Sequence, residues 1–479
     1  MSDKAALSAN VALRNLPSVA TLLEHPALRE AAEQHGQVAV TSAAREAVEG
    51  LRSVLKSGRQ ATAQIPPPDQ LAGQIAETLL VQDSNVIRPV INVTGILLHT
   101  GLGRAPLAKE AAEAAEQAAR GYCNVELDLK SGERTQRSKI VERLLCELTG
   151  AEAAHVVNNN AGATGLILAT LATGREVIVS HGELIEIGGG FRVPDVISAY
   201  GAILRTVGTT NRTRVDDYAR AIGEQTGALL VVHPSNYHIE GFTEHADLRE
   251  LASLAHEKKV PLVHDIGSGA LIDFKQFGCA NEPVASESIK AGVDLVFFSG
   301  DKLLGGPQCG IIVGRRDYVE QVIKHPLSRA LRVDKSTLAA LHATLKFYRT
   351  PEKAQQSIPL LRFLSTPLEK LSSRTQRLVE QLQPHCKGWD VQREPDEAFV
   401  GGGSLPQQGI ASCSLVLMSA EYCVEELARR LRTGNPAVVG RVQRGRLILS
   451  LHGLFEEQDE QLEKAILAAE ETLDLGRHS

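Results

Sequence analysis

Cysteine is scarce in this chain, and what there is lies scattered. The seven residues (Cys123, Cys146, Cys279, Cys309, Cys386, Cys413 and Cys423) form no Cys-x-x-Cys pair, which argues against a disulfide framework and against a zinc site. Aromatic residues make up only 4% of the composition, which argues against an all-β sandwich. No apolar run approaches the roughly 18–20 residues that span a bilayer. The opening Met1-Ser2-Asp3-Lys4-Ala5 lacks the apolar core of a secretory signal. The chain therefore reads as a cytoplasmic protein with reduced thiols. Excess positive charge is missing as well. A formal net charge of −6 repels nucleic acid overall, so such a partner needs a local basic surface. What the chain does have is length and glycine. With 479 residues, 41 glycines and 43% apolar composition, it has room for two or three domains of a loop-rich α/β protein.

Residues 1–65 read as an N-terminal helical domain. Leu16-Pro17-Ser18 opens one helix, and Thr41, as N-cap, opens a second that runs to Gly58. Arg45, Arg52, Lys56 and Arg59 gather on one side of the second helix. Such a face is either simply solvated or contacts nucleic acid. The run Ile65-Pro66-Pro67-Pro68-Asp69 breaks regular structure and predicts a stiff linker over 66–86. From 87 to 335 helix and strand alternate, with strands expected at 153–157, 176–180, 202–207, 229–233, 261–265 and 294–298. That pattern predicts a large α/β domain whose mostly parallel sheet is covered on both faces. Connecting helices over 336–385 lead to a small α+β domain over 386–479.

The stretch Val293–Val313 carries the most chemistry. Two apolar runs, Leu295–Phe298 and Ile311–Val313, predict buried strands. The loop between them holds one lysine, Lys302, among Ser299, Gly300, Gly305, Gly306 and Gly310. An amine kept from water has a lowered pKa and can attack a carbonyl; a solvated turn lysine is the competing reading. The segment Asn158–Gly165 is expected as a loop between strand and helix. Its amides and the Thr164 hydroxyl suit a phosphate, although small residues also serve packing. It is no Gly-x-x-x-x-Gly-Lys-Ser/Thr, and no Gly-x-Gly-x-x-Gly follows the strand, so nucleoside triphosphates and dinucleotides are disfavoured. Asp265 ends a strand at the edge where open parallel sheets bind ligands. It either faces a cation, such as a protonated ring nitrogen, or caps the next helix. Pyridoxal phosphate needs an anion cradle, a carboxylate and a lysine together, and here they follow in the order of the aspartate-aminotransferase (type I) fold.

Arginines supply a second theme. Arg104 precedes an alanine-rich helix, where a cation opposes the helix dipole, so another use is expected of it. Arg329 and Arg332 are three apart, which on a helical turn places them on one face. With Arg104 they suit a multiply charged anion through bidentate contacts, or else they are surface arginines. Gly401–Pro406 reads as a mobile lip over the cofactor rather than a linker. Asn92, Thr94 and His99 either act in the site or satisfy backbone groups, and no role is read for His233 or His238.

The segments Arg88–Gly95, His99–Leu107, Val157–Ala163, Phe298–Gly310 and His325–Lys335 resemble the bacterial selenocysteine synthases, the L-seryl-tRNA(Sec) selenium transferases. The likeness extends from the N-terminal helical unit to Gly445–His452. It implies that Lys302 joins pyridoxal 5'-phosphate as a Schiff base, and that Asp265, Asn160, Ala161, Gly162, Ala163, Thr164 and Ser299 help hold the cofactor, with no metal. It further implies that Arg104, Arg329 and Arg332 bind selenophosphate and that the helical unit grips seryl-tRNA(Sec). The assembly it implies is a ring of dimers, a homodecamer with active sites at dimer interfaces. The implied reaction converts L-seryl-tRNA(Sec) to L-selenocysteyl-tRNA(Sec) through an aldimine, β-elimination to aminoacrylyl-tRNA and selenium addition. One alternative is a pyridoxal-phosphate lyase acting on a small amino acid or amino-sugar acid without tRNA; such enzymes commonly lack the N-terminal unit. The other is a tRNA-binding protein on a retired enzyme scaffold, against which the intact Asp265 and Lys302 speak.

Overall fold

A computed structural model describes residues 16–57, 66–84, 87–279 and 282–475. The chain divides into two compact units between Pro89 and Val90.

Helices at Val19–Leu23, Pro26–His35, Gln37–Ser57 and Pro68–Ser84 build the first unit. Ser18 caps the first helix, its hydroxyl accepting from Thr21 N at 3.0 Å. The buried side chains Leu22, Leu28, Val40, Ala44, Leu71 and Ile75 form its core. Two expectations are corrected here. Thr41 is no cap: its helix begins four residues earlier, and its Oγ1 donates to Gln37 O at 2.7 Å. Nor is 66–86 a linker, because Pro68–Ser84 is a helix. Proline is well tolerated in a first turn, where its missing N–H has no partner to lose. Leu71, Ile75 and Leu79, four apart, then bury one face among the other helices. Arg59 and the Lys56 side chain, expected on a basic face, lie outside the described residues.

Fifteen strands are described in the second unit: β1 (Val90–Asn92), β2 (Ala153–Val157), β3 (Glu176–Ser180), β4 (Glu186–Ile187), β5 (Phe191–Arg192), β6 (Ile203–Val207), β7 (Thr226–Val232), β8 (Leu262–Gly267), β9 (Leu295–Ser299), β10 (Gly310–Gly314), β11 (Asp390–Gly401), β12 (Ser404–Met418), β13 (Ala437–Val439), β14 (Arg441–Gln443) and β15 (Arg446–Ser450). Seven of them form the central sheet in the order β2-β10-β9-β8-β7-β3-β6. β10 runs antiparallel to both its neighbours, and the other pairings are parallel. Successive side chains of a strand face opposite sides, and both sides are dry. Val296 and Phe298 of β9 enter one core, Leu295 and Phe297 the other. Helices such as Asn160–Leu171 and Leu248–Lys258 complete these layers.

After β10 come the helices Lys335–Phe347, Pro351–Ser357, Pro359–Leu364 and Leu368–Leu382, then the antiparallel sheet β11-β12-β15-β14. This C-terminal part is no separate body. β1 pairs in parallel with β13, and Leu97 N and Leu98 N donate to Phe399 O and Val400 O at 2.9 and 2.7 Å. The tip of the β11–β12 hairpin is thereby fixed beside the segment leading to Arg104. No helix among the described residues is long and apolar enough to cross a membrane.

Candidate active site

Six parallel strands bring their carboxyl ends to one edge of the sheet, and β10 starts from that edge. The loop carrying Lys302 joins β9 to β10 there. It is tied down on every side. Gly300 N donates to Cys309 O, Leu303 N to Ser268 O and Gly306 N to Gly300 O, each at 2.9 Å. Beneath it the Tyr348 hydroxyl donates to Leu304 O at 2.8 Å. At Gly310 a Cβ would stand 2.2 Å from Asn159 O, so only glycine lets β10 begin against the next helix tip.

Lys302 is consequently 5% exposed and Asp265, at the end of β8, is 8% exposed. Burial lowers the lysine's pKa and the Asp265 charge opposes that. Burial raises the pKa of Asp265 to about 6, opposed first by Asn160 and then by Lys302. The two groups are thus close enough for each charge to act on the other. Asp265 Oδ1 accepts from Asn160 Nδ2 at 3.0 Å and from Gly267 N at 2.9 Å. The acid is therefore committed to the site and does not cap a helix.

The phosphate-type segment is shorter than expected. The helix begins at Asn160, leaving only Asn158 and Asn159 between it and β2. Asn159 is its N-cap, with Oδ1 accepting from Gly162 N at 2.7 Å, while Ala163 N donates to Asn159 O at 3.1 Å. Asn160 and Ala161, at the first two helical positions, have no carbonyl one turn back to bond. The Thr164 hydroxyl donates to Asn160 O at 3.0 Å inside the helix. The Asn160 Oδ1 is buried without a partner, and Ser299 is buried at the end of β9.

Arg104 is brought into the same site, though not for the reason expected. It lies five residues ahead of the helix Lys109–Arg120, too far to feel that dipole strongly, and just after the 3₁₀ turn Thr100–Leu102. Its backbone is left-handed, φ 63°, a strained state for a side-chain-bearing residue. Its N–H donates to His99 O at 3.1 Å, and Nη1 donates to Asp301 Oδ2 at 2.9 Å. Asp301 precedes the lysine, so Arg104 is locked to the Lys302 loop.

Arg329 and Arg332 do not share a helical face. The helix Pro326–Ala330 holds the first, and Arg332 follows it in an extended bridge to Val157. The segment is nonetheless well anchored. Ser328 Oγ and His155 Nε2 are 3.0 Å apart, and Asn158 N donates to Leu331 O at 2.8 Å. Both arginines are exposed, and neither forms an ion pair among the described residues.

Gly401 pairs with Ser404 across a two-residue turn of Gly402 and Gly403, whose φ values of 65° and 73° are those a tight hairpin asks of glycine. A Cβ on Gly403 would lie 3.9 Å from Lys302 Nζ. The glycine run is therefore a hairpin tip over the lysine. Asn92 and Thr94 prove structural: Asn92 Oδ1 accepts from Thr94 N and Oγ1, and Asn92 Nδ2 donates to Ile96 O. The sequence names His233 without a role and does not single out Glu282; the structure pairs them, with Nε2 to Oε2 at 3.6 Å. The only sequence signal is that His233 follows an apolar run ending at this edge.

The profile of the L-seryl-tRNA selenium transferase family matches residues 90–455, and that of the selenocysteine synthase N-terminal region matches residues 13–52. The L-seryl-tRNA(Sec) selenium transferase of Carboxydothermus hydrogenoformans is 44% identical over 447 residues, covering 93% of this chain and 95% of that protein. Its counterpart in Hyphomonas neptunium is 46% identical over 448 residues, covering 93% and 96%. Among solved structures, a D-glucosaminate-6-phosphate ammonia-lyase superposes with a TM-score of 0.55 at 19% identity, covering 82% of this chain and 98% of that one. At that identity the likeness speaks for the fold alone.

Proposed function

The chain belongs to the L-seryl-tRNA selenium transferase family, and we infer that it converts L-seryl-tRNA(Sec) to L-selenocysteyl-tRNA(Sec) with pyridoxal 5'-phosphate as cofactor. The observation that carries the chemistry is a buried lysine beside a buried aspartate at the carboxyl edge of the sheet. The match of residues 13–52 to the synthase N-terminal region favours a tRNA substrate over a small amino acid.

The residues present fit the cofactor. Asp265 Oδ1 is already engaged by Asn160 and Gly267, which leaves Oδ2 for a protonated ring nitrogen. That cation would remove the cost of the buried charge. The free N–H groups of Asn160 and Ala161, with the buried Ser299, would receive the phosphate; Gly162 and Ala163 close the tip through Asn159, and Thr164 supports it from within. Bound there, the cofactor supplies a ring that stabilises negative charge developing at the substrate α-carbon.

Lys302 Nζ would hold the cofactor by its aldehyde in the resting enzyme and, as a free amine, would take the substrate α-proton. Burial lowers its pKa, which favours the unprotonated form able to act as base. The hairpin tip at Gly402–Gly403 keeps water from that amine. Arg104, Arg329 and Arg332 bind the selenium donor, selenophosphate. The seryl carboxyl is esterified to tRNA and makes no claim on them. Arg104 is steered by Asp301, and the two exposed arginines are completed by the donor or by a second subunit, which fits a ring of dimers, a homodecamer. The helical unit, residues 1–65 extended by the helix Pro68–Ser84, grips tRNA, and the enzyme works in the cytoplasm. Incubating the purified protein with seryl-tRNA(Sec) and selenophosphate tests the proposal. Selenocysteyl-tRNA(Sec) is the expected product. Turnover of a free small amino acid, with none of the charged tRNA consumed, would overturn it.

A further inference from the structure

Beside the ends of β7 and β8 lies a cavity of about 900 Å³ whose lining includes Glu183, His233, Tyr237, His238, His264 and Glu282. Its two buried carboxyls differ. Glu183 is satisfied: Oε2 accepts from Val232 N at 2.9 Å, and burial raises its pKa to about 8, so it keeps its proton near neutrality. Glu282 is not satisfied. Its side chain is 2% exposed, Oε2 faces His233 Nε2 at 3.6 Å, and Oε1 has no hydrogen-bond partner. A carboxyl withdrawn from water and left half-bonded is costly unless a neighbouring charge or a ligand compensates. His233 is the side chain within reach. It follows β7 directly, and its backbone N–H donates to Asp265 O at 2.9 Å, which ties its main chain to that of the proposed cofactor acid. The charge of Glu282 acts on Lys302, and that of His233 on Asp265.

We propose that His233 is the catalytic acid that protonates the departing seryl β-hydroxyl, and that Glu282 is the positioning residue that holds its imidazole. The inference deepens the proposed reaction and rests on it. In the step, the α-proton passes to Lys302 Nζ and the Cα–H electron pair becomes the Cα–Cβ double bond. The Cβ–O bond breaks with its pair on oxygen. That oxygen takes the proton from His233 Nδ1 and leaves as water, while Nε2 stays against Glu282. Solvent restores both groups, and nothing is oxidised or reduced. The rival arrangement has Lys302 carry the α-proton to the hydroxyl itself. The pair sits among Glu183, Tyr237, His264, Asp265 and Lys302, so its proton is shared with a crowded polar field.

Two measurements on H233N and E282Q test this. In deuterated solvent, with seryl-tRNA(Sec) and no selenium donor, α-hydrogen exchange should stay within about twofold of the parent while elimination falls about 10²-fold. E282D should recover part of the elimination. In the cofactor-free chain, carbethoxylation of His233, read by peptide mass at pH 7, should quicken about tenfold in E282Q, because the Glu282 carboxylate no longer holds Nε2. Unchanged elimination in both variants would show that Lys302 suffices and would overturn the assignment. Exchange and elimination falling together would also overturn it, in favour of a structural role. A parent chain showing neither exchange nor elimination would sink the proposed function itself.

Discussion

The Lys302–Asp265 pair and the Arg329–Arg332 segment sit at the same edge of the sheet yet are built in opposite ways. The first is buried, and its loop and acid are bonded within the chain on every side. The second has an anchored backbone, through His155, Ser328 and Asn158, but presents exposed guanidiniums without an ion pair among the described residues. A buried amine and acid have perturbed protonation whether or not a ligand is bound, so that half is pre-set by folding. Exposed arginines cost the fold little and give it little. One half is bonded within the chain, and the other is left without an ion pair among the described residues.

The contrast can be broken most sharply at Lys302. K302A should lower selenocysteyl-tRNA formation by about 10⁴-fold or more and abolish the visible absorbance of the lysine-bound cofactor. Substantial residual turnover would place the chemistry elsewhere. Asp265 comes next, in the cofactor-free chain. Its pKa is raised from 3.8 to about 6, so the folded state binds this proton more tightly than the unfolded state. The stability it contributes is full below about pH 4 and is lost as pH rises through about 6. At 1.36 kcal/mol per pK unit that loss is about 3 kcal/mol. D265N, which cannot ionise, should therefore unfold at higher denaturant than the parent at pH 8 and lose that advantage near pH 4. No pH dependence in the difference would mean that the acid is not strained by burial.

The exposed half should behave the other way. R329A and R332A should each leave unfolding within about 0.5 kcal/mol of the parent, while raising the KM for selenophosphate by about 10–100-fold, the loss of one or two charge-assisted bonds. A large loss of stability would show that these arginines belong to the fold. The smallest effect is expected at the hairpin tip. G403A places a side chain at φ 73°, at a cost of about 1 kcal/mol, with its methyl beside Lys302 Nζ. A slower attachment of the cofactor should accompany the lower melting temperature.

Much of this was legible in the sequence where burial and local pattern agree. β2 and β3 fall on the expected residues because each is a short apolar run closed by a polar turn. Lys302 could be singled out because it stands between two such runs. Other features depend on contacts that sequence spacing does not carry. Pro66-Pro67-Pro68 looked like a break, yet Pro68 starts a helix whose Leu71, Ile75 and Leu79 find a core supplied by earlier helices. Gly162 weakens the helix preference of Ala161 and Ala163, and the Asn159 cap and the packing around Gly162 decide the state of this segment. Arg104 was noticed for a dipole it hardly feels, whereas its real tie is to Asp301, almost two hundred residues away in the chain. His233 and Glu282 are joined only by the fold, and no local motif announces them.

Reducing the cofactor-loaded protein with borohydride and mapping its peptides by mass tests the central claim most directly. A single pyridoxyl group on the peptide that contains Lys302 is the predicted result. A group on any other lysine, or none after loading, would contradict it.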